Sequence, residues 1–177
     1  VSALEVIAKP EFGKAELEWL IQLRQTRANI SGAPAFTLVF PGAESAPDVT
    51  KHVKAVCVVT PRIRFCLRSA IMVPEEKTGW YHVFLVPDEG FGAITRLHDR
   101  LHVGPLACCL RPDVPYIPHV TVATIKELDV ARHLMASLNA KDLAISGRID
   151  EIEVRSRDLA EPHCIAKISL ARGGLFH

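Results

Sequence analysis

The segment Pro118-His119-Val120-Thr121-Val122-Ala123 places an imidazole and a hydroxyl two positions apart in an apolar, β-branched run. Side chains at i and i+2 of a strand project from one face, so His119 and Thr121 point together. An imidazole, with an unperturbed pKa of about 6.5, takes or gives a proton at neutral pH. A threonine hydroxyl beside it supplies a hydrogen-bond donor. An echo of the segment lies about half a chain earlier, in Pro34-Ala35-Phe36-Thr37-Leu38-Val39. Both copies read Pro, variable, apolar, Thr, apolar, apolar, and Ala35 shares a strand face with Thr37 as His119 does with Thr121. The match is short and weak by itself. Its placement, each copy following a helix and a loop, suggests two similar lobes that each set one strand beside the other.

The elements that must hold these segments alternate between strand-like and helix-like periodicity. Leu4 to Ala8 reads as a strand stopped by Pro10, and residues 14–28 read as a helix with Leu17, Leu20, Ile21 and Leu23 on one stripe. Phe36 to Phe40 is a strand closed by Pro41-Gly42, and Asp48 is placed to cap a helix running to about Val58. Residues 62–73 and Trp80 to Val86 form a hairpin-like pair around Pro74–Gly79, followed by a helix from Ala93 to Val103. A proline-punctuated approach then leads to a strand at 119–125, a helix at 129–139, and last strands near 143–156 and 163–171. Strands joined both by hairpins and by helices predict an α+β fold with largely antiparallel sheets, not a doubly wound parallel sheet. Neither a glycine-rich phosphate loop nor a low-complexity linker interrupts the order, and the chain reads as a single domain over 1–177.

Composition narrows the class. The chain has 177 residues, 49% of them apolar and 23% charged, which fits a globular fold and excludes a disordered one. Lys and Arg number 21 against 20 for Asp and Glu, so there is no whole-molecule field for gripping long nucleic acid, and any such site is local. No apolar run approaches the roughly 18 residues of a membrane span, and the opening stretch lacks the layout of a secretory signal. The expectation is a cytoplasmic monomer. Cys57, Cys66, Cys108, Cys109 and Cys164 are odd in number and contain no C-x-x-C pair, so they read as free, mostly core thiols. For the vicinal Cys108 and Cys109, buried packing is preferred over a redox switch.

The intact His119-Val120-Thr121-Val122 motif, the Ala35-to-Phe40 segment and the helix–strand order resemble the two-histidine phosphoesterase superfamily. That superfamily includes 2′–5′ RNA ligases and RNA 2′,3′-cyclic phosphodiesterases. The resemblance runs from Val6 to about Leu170. It implies a two-lobed, pseudo-symmetric domain, with two mostly antiparallel sheets flanking a central cleft and helices outside. Two H-x-T motifs would face each other across that cleft. The first departs from the pattern, since Ala35 stands where the family has histidine, while Thr37 and Leu38 remain.

Opening a 2′,3′-cyclic phosphate needs a base for water and an acid for the departing ribose oxygen. The resemblance implies that His119 is the base, that position 35 is the place of the acid, and that Thr37 and Thr121 donate to non-bridging phosphate oxygens. It implies no metal and no cofactor. Thr37 and Thr121 are expected to lie on two central strands and to approach one another across the groove. Three accounts of Ala35 stay open: an inactivating exchange, a naturally degenerate member that binds without turnover, or an echo that is only two core strands. The retained Thr37 and its intact flanking strand favour the first.

Further candidates carry two readings each. Arg62, Arg64 and Arg68 alternate with Ile63, Phe65 and Leu67, so Arg64 and Arg68 are candidate phosphate contacts or part of a solvated sheet face. Tyr116, three residues before His119, either touches the ligand or packs its loop with a bonded hydroxyl. Trp80 or Tyr81 can stack on a base, one of the two facing the core. His98 and His102 have metal-ligand spacing but no third ligand, which reads as an exposed helix face. His82 and His163 lie on strands and are assigned no role. The reading is a phosphodiesterase acting on a 2′,3′-cyclic phosphate or 2′–5′ linkage of an RNA end or nucleotide, impaired at Ala35. The alternatives are a silent nucleotide- or RNA-binding module and 2′–5′ ligation.

Overall fold

The computed structural model describes residues 4–28, 32–42, 44–157 and 163–172. Two antiparallel sheets organise it. The first joins β3 (Phe36–Val39), β1 (Leu4–Ala8), β8 (Glu151–Ser156) and β9 (His163–Ser169) in that order. The second joins β2 (Glu11–Phe12), β7 (Ile145–Ile149), β4 (Ile63–Glu75), β5 (Trp80–Glu89) and β6 (Val120–Ile125). Four α-helices accompany the described strands: α1 (Lys14–Ala28), α2 (Ala46–Cys57), α3 (Phe91–Leu101) and α4 (Leu128–Asn139). A short 3-10 segment covers Gly104–Cys109. The chain is therefore α+β with two sheets, as the alternating periodicity predicts. No described helix is long and apolar enough to cross a membrane.

Local chemistry explains the helices. In α2, Val49, Val53, Val56 and Cys57 form the buried stripe. Its cap is Ser45, not Asp48: the Ser45 hydroxyl accepts from the Asp48 amide at 3.3 Å, which puts Asp48 three residues inside the helix. In α3, Ile94, Leu97, His98 and Leu101 face inward at helical spacing. Gly90 opens α3 at φ +85°, and a Cβ there would lie 2.5 Å from the Arg64 carbonyl oxygen, so the turn from β5 requires glycine. Asn139, closing α4, bonds both backbone groups of Ala70 at 2.7 and 2.9 Å and so fastens the helix to β4.

Three further sequence expectations change in the fold. The single strand expected over 143–156 is two strands in different sheets, separated by Asp150, whose carboxylate meets Arg148 at 2.7 Å and Arg62 at 3.5 Å. His98 and His102 are buried, not exposed: the apolar stripe of α3 carries His98 under Tyr116, and the His102 ring lies against His98 at 4.2 Å. Of the cysteines only Cys57 and Cys66 are buried; the 3-10 segment buries Leu106 and leaves Cys108 exposed, its sulfur 3.9 Å from that of Cys109, which is partly buried against the core.

The core joins the sheets through aromatic edges. Phe65 meets Phe36 at 5.0 Å and Phe12 at 5.6 Å, both nearly perpendicular. Since Phe36 points into this core, its neighbours Ala35 and Thr37 are turned the other way.

Candidate active site

His119 stands at the entrance of β6. Its Nδ1 lies 2.7 Å from the Ile117 carbonyl oxygen, so Nδ1 carries the proton and donates it there. Nε2 is left with its lone pair, and no described residue bonds it. The ring lies over Phe84 at 3.7 Å and 19°. Burial pushes the imidazole pKa below its ordinary value, the Ile117 carbonyl opposes this, and the nearby His82 adds to it. The group is therefore neutral at pH 7, in the form that accepts a proton.

A bulge in β6 widens the functional face. Val83 pairs with Ala123 and Phe84 with Thr121, which leaves Val122 as an extra residue. Thr124 consequently pairs with His82, and His119, Thr121, Thr124, Phe84 and His82 all present to one face. His82 is fixed there: its Nδ1 is 3.0 Å from the Thr124 hydroxyl and its Nε2 is 3.4 Å from a Glu75 oxygen. Its ring runs parallel to Phe84 at 5.9 Å and 7°. Period-2 spacing through Trp80, His82 and Phe84 was the available signal for His82, but the pairing that brings Thr124 onto this face depends on the bulge.

The first motif is held to the second by side chains. The Tyr116 hydroxyl donates to the Thr37 carbonyl oxygen at 3.2 Å, and its ring stacks on His98 at 3.7 Å. Burial, with Asp99 nearby, holds this phenol well above its ordinary pKa, so it remains a donor. The hydroxyl is thus engaged with backbone, which is the loop-packing reading of Tyr116. Arg24 of α1, which sequence reasoning did not single out, donates from Nε to the Thr121 carbonyl at 3.1 Å and from Nη1 to the Gly32 carbonyl at 2.6 Å. Thr37 and Thr121 are both half-buried, and β3 and β6 are edge strands of their sheets, not central ones as expected.

The other candidates lie in separate contacts. Arg68 sits at a bulge of β4 and pairs with Asp88 at 3.0 Å, both side chains substantially exposed. Arg64 is exposed and faces Arg148 across the β4–β7 pairing. Among the described residues no group of three or more His, Cys, Asp or Glu side chains is arranged to hold a metal ion.

The depressed imidazoles set an acid limit on stability. Burial lowers the pKa of His102 as well as His119 from the usual 6.5. The unfolded chain therefore takes up protons below about pH 6.5 that the folded chain refuses. Stability is fully present above that pH and declines as pH falls through the folded-state values. The midpoint of urea unfolding should be lower at pH 5.5 than at pH 7.5, and His102→Gln should shrink the difference. An unchanged difference in that variant would remove His102 from the account.

Two antiparallel sheets, with an H-x-T segment leading into one edge strand and its echo leading into the other, place the chain in the class of the two-histidine phosphoesterase superfamily. Comparison with protein families matches residues 33–161 to the 2′-5′ RNA ligase superfamily. The chain belongs to that superfamily. Among curated proteins, no sequence matches. Solved structures agree on the fold. The Thermus thermophilus protein TT0787 superposes with a TM-score of 0.69 at 15% identity, covering 97% of this chain and 100% of the other. LigT of E. coli superposes at 0.66 with 15% identity over 97% and 98% of the two chains, and it has also been crystallised with 3′-AMP and with phosphate. Usb1 of Kluyveromyces marxianus superposes at 0.57 with 8% identity over 95% and 98%.

Proposed function

We propose that the cleft binds a 2′,3′-cyclic phosphate or a 2′–5′ phosphodiester of a nucleotide or RNA end, with His119 as a general base that needs no metal. The observation that carries this reading is the Nδ1 contact of His119 with the Ile117 carbonyl, which presents Nε2 as the basic nitrogen. Water attacks phosphorus as Nε2 takes its proton, and the P–O3′ bond breaks, leaving the phosphate on O2′. The 3′ oxygen needs a proton in return, and Ala35 has none to give. Thr37 and Thr121 donate to the non-bridging oxygens, where charge grows in the transition state. The crystals of LigT with 3′-AMP and with phosphate support an anion of this kind. With a 5′-hydroxyl in place of water as the nucleophile on the cyclic phosphate, and P–O3′ breaking, the same groups support joining of 2′–5′ ends. Ala35 favours a second reading, in which the chain holds such a ligand without turning it over.

Adenosine 2′,3′-cyclic phosphate followed by phosphorus NMR tests the proposal. The chain should bind it, shift the His119 ring resonances and convert it slowly or not at all. In the Ala35→His variant, conversion should proceed equally in excess EDTA, since imidazoles supply both proton transfers. Loss of conversion in EDTA, restored by a divalent ion, would point instead to metal-assisted hydrolysis. An absence of any shift at His119 would remove the site.

A further inference from the structure

Arg24 lies in neither motif, yet its side chain touches the backbone of one and the approach to the other. The residue is only 7% exposed. Its Nε bond ends on Thr121, the hydroxyl residue of the second motif, and its Nη1 bond ends on Gly32, which opens the segment leading through Pro34 to Ala35 and Thr37. The Thr121 carbonyl is available because β6 is the last strand of its sheet, so acceptors on its outer edge meet no further strand. A guanidinium is planar and rigid, and its donors have a fixed separation. Holding two carbonyls at once therefore fixes the distance between the two segments.

The setting of the charge is as informative as the bonds. Neither of the two bonds goes to a carboxylate, and Arg24 appears in no ion pair among the described residues. Burying a guanidinium with only carbonyl partners is unfavourable, and burial lowers its pKa accordingly. A brace of α1 against β6 would not need a charge; a neutral amide donor would serve. A positive charge kept behind a strand that carries His119 and Thr121 suits a site that receives an anion.

We propose that Arg24 is a positioning residue of the cleft: it holds the Ala35–Thr37 and His119–Thr121 segments in register for one phosphodiester, and its charge favours that anion. The inference rests on the functional reading above and adds to it a residue that neither motif contains. Lysine separates the two effects, because it keeps the charge but not the fork. Misplacement by about 1 Å at a reacting centre can reduce turnover by roughly 10².

The test uses inorganic phosphate and the amide resonances of Thr37 and Thr121, then kinetics in the Ala35→His background. In the parent chain, phosphate should shift both threonine amides with one midpoint. In Arg24→Lys the Thr121 shift should persist while the Thr37 shift falls away. In the Ala35→His background, Arg24→Lys should lower kcat tenfold to a hundredfold with KM changed less than about threefold. Arg24→Met should in addition raise KM about tenfold; if it fails to fold, the lysine variant alone decides. Should Arg24→Lys keep both shifts and full kcat, with only its melting temperature reduced, Arg24 is a brace and the inference is overturned. If phosphate shifts neither threonine in the parent chain, the functional reading itself fails, and the inference fails with it.

Discussion

Replacing Ala35 with histidine should raise turnover of a 2′,3′-cyclic nucleotide by roughly 10²–10⁴, the usual worth of one general acid–base group. The expectation follows from three features of the structure. Phe36 is fully buried, so positions 35 and 37 are turned together away from the core, and a histidine at 35 projects on the side of Thr37. Tyr116 fixes the Thr37 carbonyl, so the restored imidazole enters a backbone that is already held. In the proposed mechanism His119 is the complementary base, and burial lowers its pKa from the usual 6.5. The acid limb of the rate profile should therefore lie below pH 6.5, although coupling makes both limbs properties of the pair. Affinity should change far less than rate, because the hydroxyl contacts of Thr37 and Thr121 do not depend on position 35. Adding His119→Ala to the restored protein should abolish the gain. Unchanged turnover across cyclic phosphates and 2′–5′ linkages would leave the holding reading in its place.

Truncating Phe65 to alanine should destabilise the fold by about 3–5 kcal/mol, read from urea unfolding. Phe65 is 1% exposed and touches an aromatic edge from each side, Phe36 from the first sheet and Phe12 from the second. Its ring tip lies against the α-carbon of Gly147 so closely that a Cβ there would collide with it. Backbone cannot close in as freely as a side chain, so the cavity would stay open, which places the expected loss toward the upper part of the range. The vacancy would also lie under Phe36, between the two outward positions of the first motif. In the Ala35→His background, then, the same substitution should reduce kcat as well as stability. A loss below about 1 kcal/mol would show that the sheets meet without depending on this ring.

The regular elements were readable because their signals are local. The stripe of α1, the hairpin of β4 and β5, and the strand at 119–125 each follow from local spacing. The second motif was legible for the same reason, since a strand alternation fixes how His119 and Thr121 share a face. What escaped depends on contacts between distant segments. The division of 143–156 into β7 and β8 turns on Asp150 meeting Arg62 and Arg148, not on any break in apolar pattern. Arg24 looked like one more polar position on α1, because its acceptors are a loop carbonyl and a strand carbonyl 97 residues away. Thr124 became a partner of His82 only through the extra residue at Val122, and a bulge leaves no periodic trace in a six-residue strand. His98 and His102 were misplaced for a related reason. Histidine on a helix reads as polar until the aromatic ring of Tyr116 covers it.

The path of the chain between the sheets bears on how the protein is made. β1 lies inside its sheet, paired on one side with β3 and on the other with β8, and its first described residue meets Ser156. β2 likewise waits for β7. Both partners belong to the last quarter or so of the sequence, and they follow each other with Asp150 alone between them. During synthesis β1 and β2 therefore leave the ribosome well before β8 and β7 are made, although β3 follows β1 early. Until β8 is made, Leu4, Val6 and Ala8 lack one of their two flanking strands, and transiently uncovered strands of this kind invite association with other nascent chains. Release of β7 and β8 then supplies an inner strand to each sheet, one directly after the other, so β2 and β1 gain these partners together.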